Sequence, residues 1–336
     1  MCIFRGVKMN NIDVVILWEK AGKFFNQAYK FISNLMKRLR KLINVLRHFL
    51  YTVKNSQQTD ILLLGKLLAR QNEKLAILND LAKAEFKVFS QSGDDGIIQY
   101  LIHKVDIPNK VFIEFGVEKY IESNTRFLLK NDNWSGLLID GSKKDIDYIK
   151  TDVIYYQHKL EVVHSFITVE NINELIDRGG LSGEIGLLSV DIDGNDYWVW
   201  KAINVVQPTI VVVEYNSVMG KDRAITVPYK ADFVREREHY SHLYFGASLK
   251  AFCILAEEKG YCFVGSNSVG NNAYFVKKER LGGLKALSIE EGYVMSHFRE
   301  SRDEKGNMNY LSGADRYACI KGLPVYNVID NAIESL

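Results

Sequence analysis

Along this chain apolar residues first recur at alternating spacings of three and four. Phe25, Ala28, Ile32, Leu35, Leu39, Leu42, Leu46, Phe49 and Val53 fall on one side of a helix, and Met36, Ile43 and Leu50 widen that stripe. A second seam, Ile61, Leu64, Leu68, Gln71, Leu75 and Leu78, follows the polar stretch Asn55–Thr59. The two seams predict a helical arm over residues 1–85. From about Phe86 the pattern changes to short apolar runs separated by helical stretches. Strands are expected at Val111–Phe115, Gly136–Ile139, Val153–Gln157, Ile185–Val190 and Ile210–Tyr215. Helices are expected from Ser123–Lys130 and over Val169–Asp177, Tyr197–Ile203 and Ser248–Lys259. Two last strands, Tyr261–Val264 and Ala273–Lys277, flank "GSNSVGNN", a link suited to an antiparallel pair closing a sheet edge. Such alternation predicts a doubly wound α/β sheet over residues 86–336. Within it, Val218–Phe245 reads as a lid or acceptor-recognition segment, and the chain from Glu279 as a polar, loop-like extension.

Composition adjusts this picture only in places. With 47% hydrophobic and 25% charged residues and four prolines in 336 positions, the chain can bury a large core and has few disordered linkers. Cys2, Cys253, Cys262 and Cys319 fall in no metal or redox spacing, which argues against a disulfide framework or a zinc site and fits a reducing cytoplasm. The net charge of +2 conceals an asymmetry. Residues 1–60 hold eleven Lys/Arg against Asp13, Glu19 and Asp60, and no acid occurs from Lys20 to Thr59. The arm is therefore basic and amphipathic. It suits packing on a second copy or on its own domain, or peripheral contact with the anionic inner face of a membrane; nucleic acid is not an expected partner. The apolar run Val14–Trp18 is too short for a membrane span or a signal-peptide core.

Chemistry gathers at the predicted strand ends, which read "IEFGVEKYIESNT", "LLIDGS", "SVDIDGND" and "VVEYNS". In an open parallel sheet the carboxyl ends of the strands line the ligand crevice, so Glu114, Asp140, Asp191, Asp193, Glu214 and Asn216 would share one rim. One acid after a strand is ordinarily a helix cap or a solvated loop residue. Four strands carrying acids together call for a cation or hydrogen-bonding ligand, because desolvated carboxylates repel. Gly116 leaves room for a cofactor beside the backbone, and Asp140 is placed to accept from ribose hydroxyls. No GxGxxG cradle for a pyrophosphate is present. A nucleoside cofactor without phosphates fits better, and the sulfonium of S-adenosylmethionine would be favoured by acidic strand ends. Upstream, "SQSGDDG" supplies either a helix cap through Asp94 or Asp95, or Gln91 and Asp94 at the cofactor rim.

At these residues the chain resembles the FkbM-type S-adenosylmethionine-dependent methyltransferases. The likeness is carried by "FSQSGDDGII", "EFGVEKYIESNTRFLL", "NWSGLLIDGS", "LLSVDIDGNDYWVWKAI…PTIVVVEYN", "VPY…YFGASL" and "FRESRD", from about Phe89 to Gly322. The resemblance implies a class I methyltransferase-like, Rossmann-like fold and O-methylation of sugar hydroxyls, the acceptor being a glycan, a glycolipid-linked sugar or a polysaccharide precursor. It further implies that Glu114, Gly116, Asn124 and Thr125 line the methionine side of the cofactor. Asp140 and Ser142 would face the ribose, and Asp191 and Ile192 the adenosine and methyl region.

An aliphatic hydroxyl attacks poorly until it loses its proton, and two routes are open. Asp193, Glu214 and Asn216 could bind Mg²⁺ or Mn²⁺ through hard oxygen ligands. Alternatively His239, His242 or Asp193 acts as general base. Lys221, Arg223 and Arg235 are candidates to meet a phosphate or carboxylate on the acceptor. Two rival functions share the fold: a nicotinamide-dependent oxidoreductase, which lacks its phosphate loop here, and a non-catalytic partner protein of a glycan-assembly complex.

Overall fold

The computed structural model describes residues 11–336. Its contacts divide the chain into two compact units, Met1–Ile61 and Leu62–Leu336. Helix α1 spans Asn11–Glu73 without interruption, so the polar stretch at residues 55–59 does not end it. No proline or glycine stands there to break the hydrogen-bond ladder, and polarity alone does not stop a helix. Residues 62–85 belong with the large unit: Ala69 packs on Phe86 and Phe127, and Leu81 and Ala84 join the core around Tyr100 and Leu101. Among the described residues no helix is long and apolar enough to cross a membrane.

The large unit is built on β1 (Val111–Phe115), β2 (Ser135–Asp140), β3 (Leu160–His164), β4 (Gly183–Val190), β5 (Val206–Glu214), β7 (Tyr261–Ser266) and β8 (Asn272–Lys277). A two-residue strand, β6 (Ile225–Thr226), joins β9 (Pro324–Asn327) and β10 (Ala332–Ser335) in a small separate sheet. The main sheet runs β3-β2-β1-β4-β5-β8-β7. Strands β1 to β5 are parallel, while β8 lies antiparallel between β5 and β7. This order is that of a class I methyltransferase-like, Rossmann-like α/β fold, with the antiparallel pair expected from the "GSNSVGNN" link.

Helices cover both faces. Ile113, Phe115, Val211 and Val213 pack with α6 (Ile172–Arg178), α7 (Asp196–Ala202) and α9 (Leu249–Glu258). Phe112, Leu138, Ile210 and Val212 pack with α2 (Asp94–Lys104), α3 (Arg126–Asp132) and α4 (Lys143–Thr151). Both sides of the inner strands are therefore buried, which is why they read as unbroken apolar runs.

One predicted strand is a helix. Val153–Gln157 forms the short helix α5, and the third strand begins at Leu160. Its β-branched and aromatic residues suit a strand, but the Asp152 carboxylate accepts from the backbone of Ile154 (3.1 Å) and caps a helical turn. The chain after Glu279 is more ordered than its polarity suggested: it supplies β9 and β10 and the helix Ala314–Ile320, around a small core with Val218, Ile225 and Leu243.

Candidate functional site

The strand order reverses between β1 and β4, and the crevice at this switch point is where open α/β sheets bind ligands. A cavity of about 520 Å³ opens there. It is lined by Glu114 in β1 with Gly116 and Glu118 after it, Asp140 at the end of β2, Ser165–Ile167 after β3, Asp191–Asp193 after β4 and Glu214 at the end of β5. The acids read from the strand ends therefore do meet around one space of small-molecule size.

Their local duties differ. Glu114 is buried, and its carboxylate accepts from the Asn124 backbone (2.8 Å), the Ser123 hydroxyl (2.7 Å) and both the backbone and hydroxyl of Thr125. It organises the loop from 116 to 125, while burial pushes its pKa up against those bonds. Thr125 does not line the cavity and serves this clamp. Asn124 does line it, with its amide donating to the Ser189 hydroxyl (3.1 Å). Asp140 accepts from the backbone of Glu118 (2.8 Å) and Ser142 (2.6 Å), binding the loops after β1 and β2 together at the cavity wall. Ser142 is not in the wall; its hydroxyl caps α4 by accepting from Asp145. Gly116 has a reason other than cofactor approach: at φ +67° a Cβ would lie 1.8 Å from the carbonyl oxygen of Asp191. The loops after β1 and β4 touch backbone to backbone there.

The turn after β4 is set by Asp196, which accepts from the backbone of Ile192 (2.7 Å) and Gly194 (2.8 Å), while Asp193 takes a left-handed conformation at φ 53°. That turn brings Asp191 and Asp193 beside Glu214, so that all three offer carboxylate oxygens within 4.8 Å of one another. Burial, and then the charges of Asp193, Asp196 and Glu114, raise the pKa of Asp191 well above the carboxylate range. Glu214 is raised likewise by burial and by Asp191 and Asp193, and its Oε2 is buried without a partner. The nearest cation is Arg235, in α8 (Arg235–Glu238), whose Nη1 donates to Asp193 at 2.6 Å while its guanidinium lies over the Phe245 ring.

Several expected site residues are elsewhere. Asn216 is buried and fully engaged: its amide donates to the carbonyls of Leu243 (2.9 Å) and Phe245 (3.0 Å), and its Oδ1 accepts from Val218. Asp191, not Asn216, completes the acidic triad. His239 bonds the Ser241 hydroxyl at 2.7 Å and packs on Tyr240, and neither it nor His242 lines the cavity. They are not placed as general bases; Arg235, just before them, is what that segment contributes. Asp94 lies behind the wall, where its Oδ1 accepts from Asn267 (3.0 Å), Asn272 (2.9 Å) and Tyr274 and anchors the β7–β8 turn. Asp95 caps nothing either; it gathers the backbone amides of Val88, Phe89 and Ser90. Gln91 does reach the rim. Asn271, Asn272, Phe166 and Glu300 also line the cavity without having been singled out from the sequence.

No family model matches the sequence, and no curated protein matches it. Among solved structures, the chain is similar to an O-methyltransferase from Bacillus cereus determined with S-adenosylhomocysteine (12% identity, 50% of this chain and 74% of that one, TM-score 0.32). It is also similar to an S-adenosylmethionine-dependent methyltransferase from Clostridium acetobutylicum (10% identity, 55% and 90%, TM-score 0.35). The fold assignment stands on the strand order.

Proposed function

We propose that the chain is an S-adenosylmethionine-dependent O-methyltransferase of the FkbM type whose acceptor is a carbohydrate hydroxyl. The observation that carries this reading is the acid-lined cavity at the sheet's switch point, with Asp140 on one wall and the Asp191–Asp193–Glu214 triad on another. Desolvated carboxylates facing a cavity favour a ligand that brings positive charge and hydroxyl donors. A pyrophosphate would meet the same carboxylates as repulsion and would find no glycine-rich cradle, which disfavours a nicotinamide dinucleotide.

When bound, S-adenosylmethionine supplies a methyl carbon made electrophilic by its sulfonium. The chain's own work is to hold, orient and take a proton. Asp140, fixed by two backbone donors, keeps lone pairs for ribose hydroxyls, and Phe166 and Ile167 offer apolar surface at the same end. At the other end Asp191 and Glu214 face the acceptor hydroxyl. The orphaned Glu214 oxygen and three hard oxygen donors fit a divalent ion such as Mg²⁺, held by Asp191, Asp193 and Glu214, which would orient and acidify that hydroxyl. Incubation with S-adenosylmethionine and a polysaccharide-precursor acceptor is expected to release S-adenosylhomocysteine. Its absence with every carbohydrate acceptor tried would favour a non-catalytic partner role.

For the arm we propose an anionic lipid surface as the partner. On a helical wheel Phe24, Phe31, Leu35, Leu39, Ile43 and Leu50 lie within an apolar arc of about 120°, Lys23, Lys30, Lys37 and Lys41 occupy the opposite side, and Lys20 and Arg38 flank the apolar arc. Those apolar residues are solvent-exposed in the structure. A paired coiled coil would need a narrower seam flanked by acids as well as bases, and this stretch has no acid. The full-length protein is expected to float with vesicles containing phosphatidylglycerol, less so in high salt. The double variant Lys37→Glu/Lys41→Glu should stay behind. A stable oligomer in solution that ignores vesicles would assign the face to self-association.

A further inference from the structure

A second, smaller cavity of about 110 Å³ adjoins the first and shares Gln91, Glu214, Arg235, Asn271 and Glu300 with it. Its remaining wall includes Phe298 and Arg316, the latter on the helix Ala314–Ile320. Two arginines are buried among the described residues, Arg126 and Arg316. Arg126 also has an unpartnered Nε, but it donates to the carbonyl of Tyr120 (2.5 Å) and its charge is paired with Asp152 at 3.1 Å. Arg316, 8% exposed, has one: its Nη1 donates to the Ser296 carbonyl at 3.0 Å, and its Nε is buried with no partner.

Among the described residues no carboxylate forms an ion pair with Arg316. Burial lowers the pKa of Arg316, Tyr293 works against that, and the neighbouring positive charge of Arg235 lowers it further. The carboxylates that share the cavity, Glu214 and Glu300, act on Arg235, together with Asp193. A guanidinium held out of water against another cation is costly unless something anionic joins it, and its planar fork suits a carboxylate or phosphate.

We infer that the second cavity binds an anionic sugar: Arg316 takes a carboxylate or phosphate of the acceptor, and the hydroxyl to be methylated reaches Glu214, where the two cavities meet. The second half of this assignment rests on the methyltransferase reading. The first half, recognition of an anionic sugar, does not. The exposed ring of Phe298 gives such a sugar an apolar face to lie on.

The test is binding of three probes to the full-length protein: glucuronate, glucose 1-phosphate and glucose. Either anion is expected to bind at least about tenfold more tightly than glucose, the scale of a charge-assisted pair, and the preferred anion tells carboxylate from phosphate recognition. Arg316→Met should erase the preference while leaving glucose binding and S-adenosylmethionine binding unchanged, and Arg316→Lys should retain part of it. Equal binding of all three probes, no binding of any, or a preference that survives in the Met variant overturns the inference. Should the Met variant fail to fold, the loss of preference in the wild type at high salt and the Lys variant decide the same point. A failure of S-adenosylmethionine to bind alongside an intact anion preference would overturn the methyltransferase reading and leave the anion site standing.

Discussion

Gly116→Ala is expected to cost more than about 4 kcal/mol, the range in which single substitutions are exceptional. Two independent penalties meet at this position. The backbone is left-handed, which an alanine adopts only with strain, and the new methyl would sit 1.8 Å from the Asp191 carbonyl oxygen, far inside contact distance. The neighbour is backbone on a turn that Asp196 holds by two hydrogen bonds, so it cannot swing aside like the end of a side chain. Either the β1 and β4 ends separate or the Asp191 turn is displaced, and the second outcome would also weaken cofactor binding. Urea unfolding measures the first and S-adenosylmethionine titration the second. A variant within about 1 kcal/mol of wild type, an ordinary surface-like effect, would show that the two loops do not touch as described.

Glu214→Gln is expected to lower methyl transfer by about a hundredfold or more, the scale of a lost general base or an acidifying metal ligand, with S-adenosylmethionine affinity little changed. The substitution keeps the shape of the side chain and removes its capacity to take a proton or to ligate a cation. Because the charge of Asp191 raises the pKa of Glu214 and the two belong to one acidic triad, Asp191→Asn should act in the same direction, and the two changes together should cost far less than the product of their separate effects. Metal removal divides the two routes. Loss of transfer in EDTA, with recovery on Mg²⁺ or Mn²⁺, assigns the triad to an ion. Undiminished transfer in chelator assigns the proton to the Asp191–Glu214 pair itself. Transfer unaffected by either substitution would remove this triad from the reaction.

What could be read from the sequence was the part that local chemistry dictates. Strands buried on both faces must be apolar throughout, and each ends where polar residues begin, so Val111–Phe115 and Ile185–Val190 stood out with the acids that follow them. Contacts between distant segments leave no such mark. Asn216 carries a metal-binding side chain in the expected place, but carbonyls from Leu243 and Phe245, more than twenty residues on, claim its amide. His239 and His242 were candidates as general base because they stand three apart and could share one helical face. The fold sets His239 against Ser241 and Tyr240, leaves His242 out of the cavity wall and delivers Arg235 instead. Asn271 and Asn272 were hidden inside a link that reads as turn chemistry, and Glu300 sat in a polar stretch with no periodicity. Arg316 carried no local signal at all, since its meaning lies in which cation the neighbouring carboxylates serve once the chain is folded.

Calorimetric titration of S-adenosylmethionine into the wild type and into Asp140→Ala decides whether the switch-point cavity is a cofactor site. Micromolar-scale binding is expected of the wild type, weakened by about a hundredfold when Asp140 no longer ties the two loops and receives the ribose. Failure of both proteins to bind, or equal binding by both, would contradict a cofactor site there.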